Sequence, residues 1–221
     1  MTLSPRDRAG RRDQVLAAAG RPRPSDRALA TVGFLLSALC LVLGVATANG
    51  SPDRCLPGTG PWRSDVDPMA AAEPVALVAD RIDACSSLVP VGVDAARQIE
   101  VPSVHTPEQA GWYRHGPTPG EQGPAVIVGH VDGDGRRGVF ADLVEARPED
   151  VITVVRRDGS TAVFAVTHVE QVPKDSFPTG AVYGNTTGAE LRLITCGGAL
   201  DPTGHSYEDN VIVYAGLVGR S

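Results

Sequence analysis

The chain has 221 residues, of which 42% are hydrophobic and 21% are charged, and its formal net charge is −6 at neutral pH. The charge is divided unevenly, because the first 27 residues hold seven arginines and three aspartates, whereas acidic residues are in excess in the rest of the chain. An acidic domain lacks the basic face that nucleic-acid binding requires, so the composition excludes nucleic acid as a partner of the main domain.

An arginine-rich tail precedes an uncharged segment at the N-terminus. The composition of residues 1–27 predicts a disordered basic tail. Residues 28–48 contain no charged side chain, and a helix of this length spans about 30 Å, the hydrocarbon thickness of a bilayer. We therefore predict a single-pass signal anchor in the cell membrane. Arginine flanks its N-terminal side, so the tail should lie in the cytoplasm and the rest of the chain outside.

A cleavable signal peptide is the alternative interpretation of the same segment. Ala46-Thr47-Ala48 is similar to a small-residue cleavage site, whereas the apolar run exceeds the roughly 7–15 residues typical of secretory signals. The length favours an anchor that stays attached, and both interpretations put the bulk of the chain outside the cytoplasm.

Residues 49–80 predict a proline-rich stalk or linker, since proline recurs and no hydrophobic periodicity is sustained. The remaining residues, 81–221, suffice for one domain with one core. Three cysteines follow the membrane segment, where disulfides can form. Cys55 and Cys85 either pair, which leaves Cys196 as a free thiol, or stay unpaired. No cysteine or histidine spacing is typical of a zinc site, and we expect no cofactor.

The domain contains short runs of β-branched and aromatic residues separated by turn signals. Such residues dominate 161–169, and the preceding Asp158-Gly159 is typical of a hairpin turn. Helical periodicity is weak, with a helical turn indicated only near 106–113 and 139–146. The pattern predicts an all-β closed barrel or sandwich. The predicted strands are 87–93, 125–131, 151–156, 161–172, 190–195 and 210–218.

Cys196 ends one of these strands. Leu191, Leu193 and Ile194 form its apolar run, and Gly197-Gly198 ends the strand and exposes the backbone beside the sulfur. A cysteine at such a position is placed to react, although the alternative is a small buried hydrophobic residue.

Four separated motifs accompany this cysteine in a fixed order. They are GHVD at 129–132, GVFADL at 138–143, LRLITCGG at 191–198 and YEDNVIVYA at 207–215. In this order the motifs resemble those of sortases, the membrane-anchored cysteine transpeptidases of Gram-positive bacteria, and most closely those of the actinobacterial class F group. The resemblance covers about half the chain, from 111 to 215.

The resemblance implies a sortase-type β-barrel of about eight strands and a thioester mechanism. Cys196 would be the nucleophile that attacks a C-terminal sorting motif of the Leu-Pro-x-Thr-Gly kind, and His130 would exchange the proton. The partners would be secreted proteins that bear this motif and an amine of the cell wall or of another surface protein. No cofactor is implied.

The third catalytic residue departs from the family pattern. Sortases carry an arginine near the start of the last strand, and Asn210 stands there in this sequence, while the arginine position of class F relatives is Glu208. Asn210 can donate a neutral hydrogen bond, which is about half as strong as a charge-assisted one. Arg192 is the other candidate, because it shares the strand parity of Cys196, although about 13 Å separate the two along the strand. Its alternative role is a salt bridge at the barrel surface.

Two further alternatives bear on the function. His205 follows Cys196 by nine residues and either lines the rim of the site or is an ordinary loop histidine. Because the arginine is missing, the main alternative function is a sortase-fold surface protein that binds sorting-motif peptides without turnover. A cell-wall transpeptidase of the L,D type is disfavoured, since its short histidine–cysteine motif is absent.

Overall fold

The computed structural model describes residues 66–200 and 206–221. The predicted tail at 1–27 and the predicted membrane span at 28–48 lie outside these residues. Within the described part, no helix is long and apolar enough to cross a bilayer. The strands are β1 (Pro74–Ala79), β2 (Ala84–Val91), β3 (Ala110–Tyr113), β4 (Gly123–Val128), β5 (Asp132–Gly133), β6 (Arg136–Arg137), β7 (Val151–Arg156), β8 (Thr161–Pro173), β9 (Ala189–Leu200) and β10 (Tyr207–Arg220). In residues 66–200 and 206–221, the helical elements are α1 (Thr179–Tyr183) and the 3₁₀ turns Asp80–Ile82, Leu143–Glu145 and Lys174–Ser176.

Eight strands close into a barrel in the order β1-β2-β3-β4-β9-β10-β8-β7. The pairs β2/β3 and β4/β9 are parallel, and the others are antiparallel. Strands β5 and β6 form a separate two-stranded hairpin. The prediction of an all-β closed barrel of about eight strands with short helical turns is therefore confirmed.

The barrel encloses one apolar core because side chains alternate along its strands. Leu191 and Leu193 of β9 point inward with Phe164 of β8, and none of the three is accessible to solvent. The predicted Asp158-Gly159 turn joins β7 to β8, and Gly159 adopts φ +84°, a conformation that glycine adopts without strain. Strand β7 has the predicted bounds.

A second apolar cluster covers the outer face of β4, β9 and β10. Val126, Val128, Ile194 and Ile212 belong to it, and Val182 of α1 packs over them. The same three strands thus bury side chains on both faces. This explains why their sequences are nearly continuous apolar runs rather than alternating ones.

Three sequence predictions need correction. The predicted stalk at 49–80 extends too far, because β1 pairs with β2 and β7 and buries Leu77 completely. The helical turn predicted near 106–113 is wrong at its end, since Ala110–Tyr113 is strand β3, held by parallel pairing with β2. Strand β9 continues through Gly197-Gly198 to Leu200, because β10 still pairs with it there.

Cys85 lies on β2 and is disulfide-bonded, whereas Cys196 is a free thiol. The predicted partner of Cys85, Cys55, lies outside the described residues. Participation of Cys85 in a disulfide is confirmed, and the pairing with Cys55 stays a prediction.

Candidate active site

Cys196 of β9 pairs with Asn210 of β10, and His130 follows the end of β4, the strand on the other side of β9. In the parallel pair β4/β9, Val128 is level with Ile194, so His130 and Cys196 each follow two residues beyond a paired position. In the antiparallel pair β9/β10, Cys196 is directly opposite Asn210. Neighbouring strands are about 4.8 Å apart. The register therefore brings together three of the four residues proposed for catalysis from the sequence.

Two hydrogen bonds extend the pairing of β4 and β9 as far as His130. The Gly129 amide donates to the Ile194 carbonyl at 3.1 Å, and the Thr195 hydroxyl donates to the Gly129 carbonyl at 2.8 Å. Both bonds tie the residue before His130 to the residues before Cys196. The two side chains continue the outer face of the barrel, where both are half-buried at the end of the second apolar cluster.

His130 is held by a backbone carbonyl. Its Nε2 lies 2.7 Å from the carbonyl oxygen of Pro102, which can only accept a hydrogen bond. Nε2 therefore carries the proton of the neutral imidazole, and Nδ1 is the nitrogen that remains to exchange a proton.

The GVFADL motif packs directly behind this histidine. The Phe140 amide donates to the His130 carbonyl at 3.0 Å. A Cβ on Gly138 would lie 2.1 Å from that same carbonyl oxygen, and one on Gly129 would lie 2.5 Å from Val139. Glycine is required at both positions because the backbone of one motif contacts the other at close range.

The sortase domain family model matches residues 81–218, which is more than half of the chain. The chain belongs to the sortase family. No curated protein sequence matches it significantly. The fold of this sortase is similar to that of sortase A from Corynebacterium diphtheriae in a lid-mutant form, with 22% identity and a TM-score of 0.51 over 67% of this chain and 73% of that one.

Two other solved sortases share the fold at lower identity. Sortase A from Listeria monocytogenes is 16% identical with a TM-score of 0.51, covering 69% of this chain and 90% of that one. Sortase C1 from Streptococcus agalactiae, in complex with MTSET, is 14% identical with a TM-score of 0.51, covering 66% of this chain and 69% of that one. At these identities the likeness establishes the barrel and not the substrate.

Arg192 shares the outer face with Cys196, as predicted, but its guanidinium is bonded elsewhere. It forms an ion pair with Glu190 at 2.6 Å and donates to the Ala181 carbonyl at 3.3 Å, and its side chain is only 4% exposed. It also lies over the ring of Tyr214, 4.6 Å from the centroid. The guanidinium of Arg192 thus has its partners away from Cys196. The alternative prediction, a salt bridge, is present as the ion pair with Glu190, but the arginine side chain is buried and not at the barrel surface.

Glu208, at the arginine position of class F relatives, is an acidic residue and cannot replace the positive charge of an arginine. It is exposed and falls at an irregularity in the β9/β10 register between Tyr207 and Asp209. His205, the candidate rim histidine, lies outside the described residues. Asn210 is thus the residue that this part of the chain presents opposite the thiol on β10.

Two contacts at this site were not predicted from the sequence. The Pro102 carbonyl has no sequence signal, because any residue presents a backbone carbonyl. Tyr207 donates its hydroxyl to the Asp132 carboxylate at 2.5 Å, and both residues lie within motifs already identified. This hydrogen bond, then burial, then the charges of Asp132 and Cys196 raise the pKa of Tyr207. The sequence signal for this hydrogen bond is that Asp132 lies close to His130 along the chain and Tyr207 lies close to Asn210.

In the described part of the chain, no group of three or more histidine, cysteine or acidic side chains is arranged to hold a metal ion. The chemistry that the described residues can perform is that of a thiol beside an imidazole. A thiol can become a nucleophile when a neighbouring imidazole takes its proton.

Proposed function

We propose that this sortase is a cysteine transpeptidase that cleaves a C-terminal sorting motif of the Leu-Pro-x-Thr-Gly kind and transfers the secreted protein to an amine. One observation carries the proposal. The free, half-buried thiol of Cys196 and the half-buried His130 each follow by two residues the paired positions Ile194 and Val128 of the neighbouring strands β9 and β4.

The reaction needs a nucleophile and one group that moves a proton. Cys196 Sγ attacks the carbonyl carbon of the scissile peptide, and the tetrahedral intermediate collapses as the C–N bond breaks. His130 protonates the departing amine, leaving an acyl thioester on Cys196. An incoming amine then attacks the thioester, His130 takes its proton, and the new amide leaves as the thiol is restored. The Pro102 contact with Nε2 supports Nδ1 as the nitrogen that makes these transfers.

Asn210 is the candidate for stabilising the developing oxyanion or orienting the substrate carbonyl. Its position opposite Cys196 supports this role. A neutral amide donor is weaker than a guanidinium by about half. We therefore expect a lower turnover than in a sortase with arginine at this position.

The cellular setting follows from the motifs and the N-terminal segment. We propose a class F-like sortase of actinobacterial type, anchored in the cell membrane through 28–48, with its domain outside the cytoplasm. The acceptor would be an amine of a cell-wall peptide stem or of another surface protein. The uncharged segment, its arginine flank and the order of the four motifs support this assignment.

The test is transpeptidation by the full-length protein in detergent. The protein is incubated with a panel of Leu-Pro-x-Thr-Gly-like peptides and hydroxylamine, and products are identified by mass spectrometry. We expect a threonine hydroxamate that is lost in Cys196→Ala and in His130→Ala. His168→Ala is the matched control. The His168 ring stacks on the ring of Tyr214, with their centroids 4.1 Å apart, and does not lie beside the thiol. Product formation that survives Cys196→Ala would contradict the proposal.

A second function is favoured by the absence of a cation opposite Cys196. With Asn210 there and Glu208 exposed, the chain would be a surface protein that binds sorting-motif peptides without cleaving them. Peptides that bind but keep their mass would support this function. So would activity that appears only in Asn210→Arg or Glu208→Arg.

A further inference from the structure

A hydrogen bond between Tyr207 and Asp132 joins the start of β10 to the β5–β6 hairpin. Asp132 begins β5 and follows His130 by two residues, and Tyr207 begins β10, opposite Leu200 at the end of β9. The phenol donates to the carboxylate at 2.5 Å. Across residues 66–200 and 206–221, this is the one side-chain hydrogen bond between the β5–β6 hairpin and β10. We call it the clasp.

Hydrogen bonds hold the chain on both sides of His130, to β9 before it and to β10 after it. On the barrel side, Thr195 and the Ile194 carbonyl hold Gly129, the residue before His130. On the other side, the chain beyond His130 is held to β10 through the clasp. The pair therefore lies within a ring of hydrogen bonds that runs through β4, β9 and β10. The Phe140 amide also holds the His130 carbonyl, so loss of the clasp would free the Asp132 side chain and leave the His130 backbone in place.

The clasp also engages the charge of Asp132, two residues after His130. The Asp132 charge and the Cys196 charge both act on the phenol and raise the pKa of Tyr207, after its hydrogen bond and its burial. The phenol thus lies within electrostatic range of both groups. A carboxylate that accepts a charge-assisted hydrogen bond presents less free charge to its neighbours.

Other charged groups surround this position. The Asp209 carboxylate accepts a hydrogen bond from Gln171 at 2.7 Å. Lys174 donates to the Ser206 hydroxyl at 2.7 Å, and Glu208 is exposed. His130 lies on the neighbouring strand. Among these groups, the clasp engages Asp132 alone, so a change in the clasp changes one identified charge.

We propose that Tyr207 and Asp132 are positioning residues for the catalytic pair. The clasp fixes the Asp132 carboxylate, two residues after His130, and keeps it from opposing formation of the thiolate. The catalytic consequence depends on the proposed transpeptidase function, whereas the effect on the thiol does not.

The test compares alkylation of Cys196 in the full-length protein, in its Tyr207→Phe variant and in its Asp132→Asn variant. The rate of reaction with iodoacetamide is followed against pH by mass spectrometry of the peptide that contains Cys196. Tyr207→Phe frees the carboxylate, so we expect the midpoint of the rate profile to rise by about half a pH unit or more. Asp132→Asn removes the charge, so the midpoint should fall by a similar amount.

The opposite signs separate an effect of the Asp132 charge from a loss of structure. A general loosening of the site would move both midpoints in one direction. In the double variant, the midpoint should match that of Asp132→Asn alone, because no charge is left for the phenol to screen. If Tyr207→Phe fails to fold, as judged from its thermal unfolding, an unchanged or raised midpoint in Asp132→Asn would still overturn the proposal.

Tyr214→Phe is the matched control. Tyr214 also lies on β10 and donates its hydroxyl to a carboxylate, that of Glu170, at 3.0 Å. This change should leave the Cys196 midpoint within experimental error. With peptide substrate, we expect Tyr207→Phe to lower kcat about tenfold with little change in KM, as for an interaction made in the transition state.

The two proposals fail differently. Unchanged midpoints in Tyr207→Phe and Asp132→Asn, or shifts of the same sign, would overturn the clasp even if the wild-type protein is an active transpeptidase. Opposite shifts in a protein that leaves every peptide intact would support the clasp and count against the proposed function.

Discussion

Arg192 and Asn210 share the outer face of the barrel and do different things there. Asn210 lies opposite Cys196, at the open end of the second apolar cluster. Arg192 lies at the covered end, where Glu190 and the Ala181 carbonyl satisfy its guanidinium beneath α1. A buried guanidinium with these partners has little freedom to reach a substrate. Arg192 therefore stabilises the attachment of α1 to the barrel.

Arg192→Ala should reduce stability more than catalysis. The change leaves the Glu190 carboxylate, which is 35% exposed, without its partner and removes the contact with Tyr214. We expect the free energy of unfolding, measured in urea, to fall by about 2 kcal/mol. Activity per folded molecule should stay within about threefold of wild type. An inactive variant of unchanged stability would instead assign Arg192 to catalysis.

At the scale of the element, parallel pairing of β4 with β9 builds the site. Parallel strands end at the same edge of a sheet, so the residues after Val128 and Ile194 emerge together. The β9–β10 hairpin then adds Asn210 from the opposite side. Strand β1 makes no contact with this site in the sheet order, yet it closes the barrel between β2 and β7.

Leu77→Ala tests whether β1 belongs to the core. Leu77 is completely buried between β2 and β7, so its truncation should leave a cavity and lower the free energy of unfolding by about 2–5 kcal/mol. Val89→Ala is the control, since Val89 is 37% exposed on β2 and its change should cost less than about 1 kcal/mol. Equal effects of the two changes would mean that residues 74–79 behave as a linker.

At the scale of the whole molecule, the free energy of unfolding should fall at alkaline pH because Tyr214 loses its proton there. Burial, then the hydrogen bond to Glu170, then the Glu170 charge raise the pKa of Tyr214 to about 12. The folded state therefore favours the protonated phenol. This contribution is fully present below pH 10, the ordinary pKa of tyrosine, and is lost as the pH rises toward 12.

We expect the free energy of unfolding to fall by up to about 2 kcal/mol between pH 10 and 12 on this account. Urea unfolding of the wild-type protein and of Tyr214→Phe across this range provides the measurement. The phenylalanine variant should show the smaller slope. Parallel slopes in the two proteins would contradict the assignment to Tyr214.

The sequence by itself determined the all-β domain, the bounds of β7 and the turn at Asp158-Gly159, and it placed one strand before Cys196 and one near His130, although β4 ends at Val128 and not at the predicted 131. These features are local, because apolar runs, turn residues and glycines act within a few positions. It also indicated that Asn210 stands where an arginine is usual. Strands β1 and β3 were missed, since each depends on partners distant in sequence that a run of six or four residues does not reveal.

Only the tertiary structure decided the roles that depend on neighbours. The register brought Asn210 opposite Cys196, and it buried Arg192 beneath α1 with Glu190 and the Ala181 carbonyl as partners of its guanidinium. The Pro102 carbonyl that fixes the protonated nitrogen of His130 belongs to a residue 28 positions away. Barrel closure sets these contacts, because side chains far apart in the chain meet only when the strands that carry them are paired.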